Sequence, residues 1–301
     1  MKKVDISIII VSFNTKDLTL ECILSIARTV KKKSFEIIVV DNKSSDDSGK
    51  EIKNLESKIK NLKLIQNTEN FGFSKANNIG VKESNGRYVL FLNSDTVVYE
   101  KTIDGMVEFM DNNPQVGAST CFVRLPNGKL DDAAHRGFPT PWRALAHFTG
   151  LSKVFPKTKT FAGYNLTYLP TNQTHEIEAL AGAFMVVRGE AGEQVGWWDE
   201  DFFFYGEDLD FCYKLIEKGW KIFFVPEFEI LHYKGVSGGI KKDSKHITTA
   251  TRETKKIAHD ARFDAMRIFY RKHYQNKYPG YMKGLVLAGI SAKKFISGLR
   301  S

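Results

Sequence analysis

The sequence lacks an apolar run long enough to cross a membrane as a helix, which takes about 20 residues. The nearest candidate, residues 284–290, is too short. The chain begins Met1-Lys2-Lys3, and the short apolar stretch that follows has no cleavage signature, so we expect no signal peptide. These absences predict a cytoplasmic protein without a spanning helix.

Cysteine is scarce as well. Cys22, Cys121 and Cys212 are far apart in the sequence and show no metal-ligand spacing. All three lie in apolar runs, which is typical of buried, reduced thiols in an intracellular protein. We therefore expect neither a disulfide scaffold nor a cysteine-based zinc site.

Two functional signatures are also missing. Residues 12–15, which follow the first predicted strand, read Ser-Phe-Asn-Thr and contain neither glycine nor a basic side chain. A sugar-phosphate nucleotidyltransferase usually needs a glycine-rich, basic loop at this point to hold a triphosphate, so this enzyme class is the weaker alternative. No nucleic-acid recognition motif is present, and we expect no nucleic-acid partner.

The sequence has enough hydrophobic residues for a sizeable core, since they make up 42% of its 301 positions. The formal charge is +9, from 44 Lys and Arg against 35 Asp and Glu. A positive balance favours anionic partners such as sugar nucleotides or a phospholipid surface.

Predicted strands and helices alternate along the first part of the chain. Buried strands are predicted at residues 6–11, 35–40, 62–66 and 88–92, and helices at residues 17–30, 74–81 and 102–112. This order predicts an α/β protein with a doubly wound, mainly parallel, Rossmann-like sheet. Residues 124–176 are less regular and predict a long excursion that covers the substrate. Within it, residues 131–136 contact the substrate or, as the favoured interpretation, form a surface loop.

Three polar positions follow the predicted strands, at the edge of a parallel sheet where ligands bind. Asp41 can accept the imide N–H of uracil or thymine, or the N1–H of guanine, or it can simply stabilise a turn. Asn14 contacts the nucleotide or caps the next helix. Asp95, at the end of Asn93-Ser94-Asp95, suits Mg²⁺ or Mn²⁺ bridged to substrate phosphates, with a strand-end turn as the alternative.

Two glycine-containing segments can face phosphate. Residues 70–78 place a glycine turn before a helix, where Asn70 and Lys75 would lie near a diphosphate, and the alternative is a turn with an ordinary cap. His232 precedes the glycine-rich residues 235–239, which can close over a diphosphate with Lys234 supplying charge. A structural role for His232 is the alternative.

Glu207 and Asp208 open a segment with helical spacing of apolar residues. The helix dipole favours carboxylates in a first turn, which suits a general base and is also where ordinary acidic residues collect. Aromatic residues crowd the approach, and among them Trp198 and Tyr205 are predicted to form a sugar-stacking wall or to lie in the core. Asp208 is the predicted base, and Glu207 is predicted to orient the acceptor or cap the helix.

These motifs, in this order, resemble the family 2 inverting glycosyltransferases of the GT-A fold, and most of all their rhamnosyltransferase-like branch. The matching runs are residues 11–14, 40–42, 70–78, 92–95, 181–184 with Arg188, 198–212 and 232–237. The resemblance implies a metal at Asp95, His232 near that metal or the diphosphate, and Asp208 as the base. Asn93 stands where many members carry the first Asp of Asp-x-Asp, which puts strict metal dependence in doubt but not the fold.

The predicted donor-binding residues are Ser12, Asn14, Asp41, Asn70, Lys75, Asn93, Ser94, Asp95 and Gly182. Trp198, Tyr205 and Glu207 are predicted to bind the acceptor, and Asp95 and His232 to bind Mg²⁺ or Mn²⁺. Residues 1–112 are interpreted as the nucleotide-sugar-binding half of a GT-A domain, 113–237 as its acceptor-binding and catalytic half, and 238–301 as a basic helical C-terminal extension.

The resemblance implies inverting transfer of a sugar, with rhamnose favoured, from a dTDP- or UDP-linked donor. The implied acceptor is a saccharide or a polyprenyl-linked saccharide in cell-surface polysaccharide synthesis. A non-catalytic carbohydrate- or membrane-binding protein that has kept the fold is the alternative from another class. Basic and aromatic residues alternate from 241 to 300, which suits an anionic membrane surface, at the inner face of the plasma membrane, or a solvated helix pair.

Overall fold

The computed structural model describes residues 3–235 and 250–298. The predicted glycine-rich loop lies outside these residues from position 236 onward. The parts of the predicted basic extension at 238–249 and 299–301 also lie outside them.

The N-terminal part of the chain is a parallel sheet with helical connections. The strands are β1 (Val4–Ser12), β2 (Phe35–Asp41), β3 (Leu62–Gln66) and β4 (Gly86–Asn93), and the helices between them are α1 (Lys16–Thr29), α2 (Ser48–Glu56) and α3 (Gly72–Lys82). The strands pair in the order β3-β2-β1-β4, all parallel. The predicted strand and helix positions are confirmed here, because long β-branched runs and helical spacing are the strongest local signals.

Beyond β4 the sheet becomes mixed. The further strands are β5 (Thr96–Val98), β6 (Val116–Arg124), β7 (His175–Ile177), β8 (Phe184–Arg188) and β9 (Lys221–His232). Within the described residues the strand order is β3-β2-β1-β4-β8-β6-β9-β5, with β7 also paired to β9. Strand β8 runs antiparallel to both of its neighbours, β4 and β6. The sheet therefore changes from parallel to mixed pairing at β8.

Helices cover both faces of this sheet. They are α4 (Thr102–Asn112), α5 (Pro141–Phe148), α6 (Leu151–Val154), α7 (Lys159–Ala162), α8 (Gly189–Val195), α9 (Glu207–Glu217), α10 (Arg252–Phe269) and α11 (Gly280–Gly298). Alternate strand residues point to opposite faces. Ile8 and Leu90 pack into a core shared with α1 and α4, whereas Ile9 and Phe91 pack into a second core shared with α9. This layered α/β arrangement is the GT-A class predicted from the sequence.

Residues 131–136 do not form the predicted surface loop, and that prediction is wrong. Residues Asp132–Ala134 form a 3-10 turn, and Asp131 and His135 are buried. The Asp131 N–H donates to the Val123 carbonyl at 2.8 Å, and its carboxylate accepts from the Ala133 N–H at 3.0 Å. These bonds fold the segment back against β6, so Asp131 and His135 point inward while Asp132 stays exposed.

Helix α10 and the turn after it pack against α9. After α10 a π-helical turn, Tyr270–Tyr274, places His273 Nε2 2.7 Å from the Asp210 carboxylate on α9. Phe269 and Tyr274 both contact the Tyr213 ring. Among the helices of the described part, none is both long and apolar enough to cross a membrane.

Candidate functional site

The loops after β1 and β2 are bonded to each other at the carboxyl edge of the sheet. Asn14 has a left-handed backbone (φ +53°), its N–H donates to Ser44 Oγ at 2.9 Å, and its Oδ1 accepts from the Ser45 N–H at 2.7 Å. Asp41 accepts a 2.5 Å hydrogen bond from Ser44 Oγ. Burial raises the pKa of Asp41, and the bonds from Ser44 only partly oppose this effect. The structure thus brings Asn14 and Asp41 together through Ser44.

A chain of buried hydroxyl groups links this edge to the end of β4. Ser12 Oγ lies 3.0 Å from Thr19 Oγ1, Thr19 Oγ1 lies 3.1 Å from Thr15 Oγ1, and Thr15 Oγ1 lies 3.1 Å from Ser94 Oγ. The hydroxyl groups of Ser12 and Ser94 therefore have hydrogen-bond partners within the protein, namely Thr19 and Thr15. They support the loop that carries Asp95.

Asp95 and His232 face each other because β5 and β9 pair antiparallel with Thr96 opposite His232. Asp95 Oδ1 lies 3.2 Å from His232 Nε2, and Asn93 Nδ2 lies 3.3 Å from the same nitrogen. Burial alone lowers the pKa of His232, but the carboxylates of Asp95 and Asp131 outweigh burial and raise that pKa to about 9. The predicted grouping of Asn93, Asp95 and His232 is present in the structure.

Asp131 completes this cluster, and sequence reasoning missed it. Its Oδ2 lies 3.2 Å from His232 Nδ1, and its Oδ1 forms an ion pair with Lys234 Nζ. Burial raises the pKa of Asp131, but the bonds with His232 and Lys234 more than reverse this effect and hold it well below its ordinary value. The residues Asn93, Asp95, Asp131, His232 and Lys234 are called the acid–imidazole cluster below.

The Asp95 and His232 side chains could hold a divalent cation, which would displace the proton between Asp95 Oδ1 and His232 Nε2. A carboxylate oxygen faces one imidazole nitrogen, and a second carboxylate holds the other nitrogen, as usually found around metal-ligating histidines. Within residues 3–235 and 250–298 no group of three His, Cys, Asp or Glu side chains is arranged to hold a metal ion. Further ligands would come from substrate phosphates and water, the usual arrangement for Mg²⁺.

The N-terminus of α3 is occupied by protein groups. The Phe73 N–H donates to the Phe203 carbonyl at 2.8 Å, and Asn70 Oδ1 accepts from the Gly72 N–H at 3.0 Å. Asn70 therefore stabilises the turn, which is the alternative that the sequence left open. Lys75 is exposed, with its Nζ 4.1 Å from the centre of the Phe71 ring, and its donor contact stays a prediction.

Trp198, predicted to bind the acceptor, and Gly182, predicted to bind the donor, lie in the interior. Trp198 is 2% exposed, and its ring centroid lies 4.8 Å from that of Phe91 and 4.9 Å from that of Phe211. Gly182 is buried beside Phe73, where a Cβ would lie 3.1 Å from the ring. The Trp198 indole is thus a core side chain and does not belong to the proposed acceptor site.

Asp208 lies in the first turn of α9, after two residues with left-handed backbone. Tyr205 has φ +71° and Gly206 has φ +81°, and together they turn the chain sharply into the helix. Tyr205 is partly buried, and its ring centroid lies 4.1 Å from that of Phe204. Asp208 Oδ2 lies 2.5 Å from Arg136 Nη2, in an ion pair that sequence reasoning missed.

Glu207 is buried beside this pair. Its Oε2 has no hydrogen-bond partner among the described residues. Burial, followed by the negative charge of Asp208, raises the pKa of Glu207 to about 8. The adjacent carboxyl groups of Glu207 and Asp208 therefore differ in environment, since only Asp208 has the guanidinium partner.

One short segment connects the two groups of charged side chains. Asp131 contacts His232, and Arg136, at the other end of residues 131–136, contacts Asp208. The sequence offered one weak signal for this segment, a clustering of Asp, His and Arg without a recognisable motif. The fold therefore places the Asp95–His232 pair and Asp208 at the two ends of one six-residue segment that is far from them in the sequence.

Comparisons with known proteins identify the family of this chain. The family profile described as Glycosyl transferase family 2 matches residues 7–170. The chain is 26% identical over 173 residues to the rhamnosyltransferase WbbL of Escherichia coli K12, which covers 54% of this chain and 61% of WbbL. It is 25% identical over 246 residues to an N-acetylglucosaminyl-diphospho-decaprenol L-rhamnosyltransferase of Mycobacterium tuberculosis, covering 78% of each chain.

Among solved structures, the fold is similar to that of GalNAc-T7, crystallised with UDP, GalNAc and Mn²⁺. The TM-score is 0.59 at 16% identity, and the match covers 96% of this chain and 54% of GalNAc-T7. At this identity the likeness supports the GT-A fold alone.

Proposed function

The chain belongs to glycosyl transferase family 2, and from this premise we propose that it is an inverting glycosyltransferase with Asp208 as its base. In the proposed reaction an acceptor hydroxyl oxygen attacks the anomeric carbon of the donor sugar. The bond from that carbon to the diphosphate breaks, and Asp208 takes the hydroxyl proton. One displacement of this kind inverts the anomeric centre.

The connection through residues 131–136 carries this proposal. A base that serves the acceptor must lie near the diphosphate without binding it. Asp208 pairs with Arg136, and the acid–imidazole cluster lies at the other end of the same segment. The N-terminus of α9 favours negative charge at Asp208, and the Arg136 guanidinium holds the carboxylate in place.

Asp95 and His232 are the proposed holders of a divalent cation, Mg²⁺ or Mn²⁺. Their 3.2 Å contact and the support of His232 by Asp131 favour this assignment. Such a cation supplies positive charge that stabilises the diphosphate leaving group. Lys234, also a member of the acid–imidazole cluster, adds a positive charge from the protein.

The donor and acceptor are proposed by analogy with the relatives. Two rhamnosyltransferases are similar to this chain, and one acts, by its name, on a diphospho-decaprenol saccharide. We therefore favour rhamnose as the sugar, a dTDP- or UDP-linked donor, and a saccharide or polyprenyl-linked acceptor at the cytoplasmic side of a membrane. Asn14 and Asp41 are the proposed contacts to the nucleotide, and Tyr205 and Glu207 the proposed contacts to the acceptor.

Donor hydrolysis tests the function without knowledge of the acceptor. The wild type is incubated with dTDP- and UDP-sugars and Mn²⁺, and the release of nucleoside diphosphate is followed. Asp208→Asn should lower this rate by about 10²–10⁴-fold, while Asp201→Asn, an exposed carboxylate before the same helix, should keep it. The donor should raise the melting temperature of all three proteins equally.

Two results would overturn the proposal. Hydrolysis by Asp208→Asn at the wild-type rate would remove Asp208 as the base. If no nucleotide sugar raises the melting temperature, with or without Mn²⁺, the chain does not bind such donors and is a binding protein of another kind.

A further inference from the structure

Large apolar side chains are exposed on two segments of this chain. Most of those in the described residues lie between positions 142 and 155 or between positions 281 and 296. Both segments lie outside the acid–imidazole cluster and outside the Arg136–Asp208 pair. The proposed transfer reaction does not explain why they are apolar.

Helix α11 presents an apolar stripe to solvent. Tyr281, Leu285 and Phe295 are 70%, 64% and 69% exposed, and the exposed residues Ala288 and Ala292 lie between them at helical spacing. No residue of α11 is buried. Its other side contacts α10, where Arg267 Nη2 lies 3.2 Å from Ser291 Oγ. The helix is therefore held at one side and uncovered at the apolar stripe.

Helices α5 and α6 form the second apolar group. Trp142, Leu145 and Phe148, three residues apart along α5, are 47–53% exposed, and Val154 is 68% exposed. Lys293 of α11 places its Nζ 3.0 Å from the centre of the Phe148 ring. This contact joins the two groups into one area, called the α5/α11 surface below.

The charge of this surface has one sign. The chain contains no Asp or Glu between Asp132 and Glu176, and none after Asp264. The lysines Lys153, Lys157 and Lys159 are exposed beside the apolar side chains of α5 and α6, and Lys283 and Lys293 lie on α11. Asp260 of α10, a carboxylate beside α11, is paired with Lys294 of α11. Apolar side chains among cations, on segments that carry no carboxylate of their own, are complementary to a surface that is apolar inside and negative outside.

We propose that the α5/α11 surface binds the face of an anionic lipid bilayer. Its aromatic and aliphatic side chains would enter the boundary between headgroups and acyl chains, and its lysines would contact the anionic headgroups. Helix α5 begins at Pro141, shortly after Arg136, the partner of Asp208. A bound protein would thus hold its acceptor side close to lipid-linked substrates. This orientation rests on the proposed function, whereas the binding of lipid does not.

Flotation with vesicles tests the proposal. The wild type should float with vesicles of phosphatidylcholine and phosphatidylglycerol, and should remain below with phosphatidylcholine alone. Lys153→Glu combined with Lys157→Glu should lower the partition coefficient onto the vesicles by about 20-fold or more, at about five-fold for each lysine charge. Leu285→Ser combined with Phe295→Ser should lower it by about ten-fold or more.

Matched controls carry the same changes elsewhere. Lys50→Glu combined with Lys58→Glu reverses two exposed charges on and just after α2, and Leu24→Ser removes an exposed leucine from α1. Both should float like the wild type. A donor-induced rise in melting temperature, equal in all variants, would show that they remain folded and bind donor. Failure of lipid binding is thereby separated from failure of the proposed function.

The proposal is overturned if the wild type does not float with anionic vesicles, or if the controls weaken flotation as much as the targeted variants do. It is also overturned if sedimentation shows a dimer that Leu285→Ser with Phe295→Ser dissociates, while no form of the protein binds vesicles. The α5/α11 surface would then be an interface between two copies of the chain.

Discussion

Arg136 and Asp208 form an ion pair between the excursion after β6 and the first turn of α9. Arg136 Nη2 lies 2.5 Å from Asp208 Oδ2, and the two side chains are 13% and 14% exposed. Removing one partner of a poorly solvated pair leaves an uncompensated charge, which costs far more than the pair itself contributes. Arg136 is thus a positioning residue for the proposed base.

Arg136→Met should lower the free energy of unfolding by roughly 3 kcal/mol, because it leaves Asp208 without its cation. It should also lower the rate of transfer more than donor affinity. Adding Asp208→Asn to this variant should restore most of the stability but none of the activity. The two single variants and the double variant form a double-mutant cycle, which urea unfolding and donor hydrolysis measure. Strictly additive losses of stability would show that the two side chains do not act as a pair.

Asp131→Asn should weaken binding of Mn²⁺ in the presence of donor by about 10–100-fold, because the second carboxylate no longer holds His232 in its orientation. Asp132→Asn is the matched control, since Asp132 is the exposed neighbour of Asp131. Titration calorimetry with Mn²⁺ and donor measures both affinities without any turnover. Equal affinities for the two variants would exclude an orienting role for Asp131.

Glu207 should make the protein less stable as pH rises. Burial and the charge of Asp208 raise the pKa of Glu207 from 4.5 to about 8, so between these values the folded protein keeps a proton that the unfolded chain has lost. The free energy of unfolding then falls with rising pH, by up to about 1.4 kcal/mol per pH unit. Glu207→Gln should remove this part of the slope. Urea unfolding at several pH values checks it, with Glu108→Gln, an exposed position on α4, as the control. A Glu207→Gln slope equal to that of the wild type would contradict the prediction.

Gly72→Ala should destabilise the protein more than Gly150→Ala does. Both glycines have a left-handed backbone, with φ +78° and φ +82°, so alanine is strained at either position by about 1–2 kcal/mol. At Gly72 a Cβ would also lie 2.4 Å from the Phe203 carbonyl oxygen, whereas at Gly150 nothing lies within 4 Å. Thermal unfolding compares the two variants. Because Phe203 belongs to the segment leading to Asp208, donor hydrolysis should fall only in Gly72→Ala.

The parallel part of the fold was accessible from the sequence because its signals are local. Strand β1 is a continuous β-branched run, and α1 repeats its apolar residues at helical spacing. The mixed part was less accessible. The five-residue strand β8 takes its place between β4 and β6 through antiparallel pairing with distant residues. Short strands of this kind depend on tertiary contacts rather than on local propensity.

The candidate site divides in the same way. Asp95 and Asp208 stand out in the sequence because each lies at the end of an apolar element, and His232 because it ends a strand before a glycine-rich stretch. Trp198 had two interpretations, of which the core was the default, and its packing against Phe91 and Phe211 follows only from the tertiary structure. Asp131 and Arg136 carried no motif at all.

The sequence by itself therefore determined the α/β class, the family resemblance and the acidic residues at the ends of strands and helices, since these depend on spacing along the chain. The tertiary structure alone decided that Asp131 holds His232 and that Arg136 holds Asp208, both with little exposure to solvent. It also decided that the apolar residues of α5 and α11 meet on one exposed surface. Ion pairs and shared surfaces join residues that are far apart in sequence, and their partners are set only when the sheet and its helices have packed.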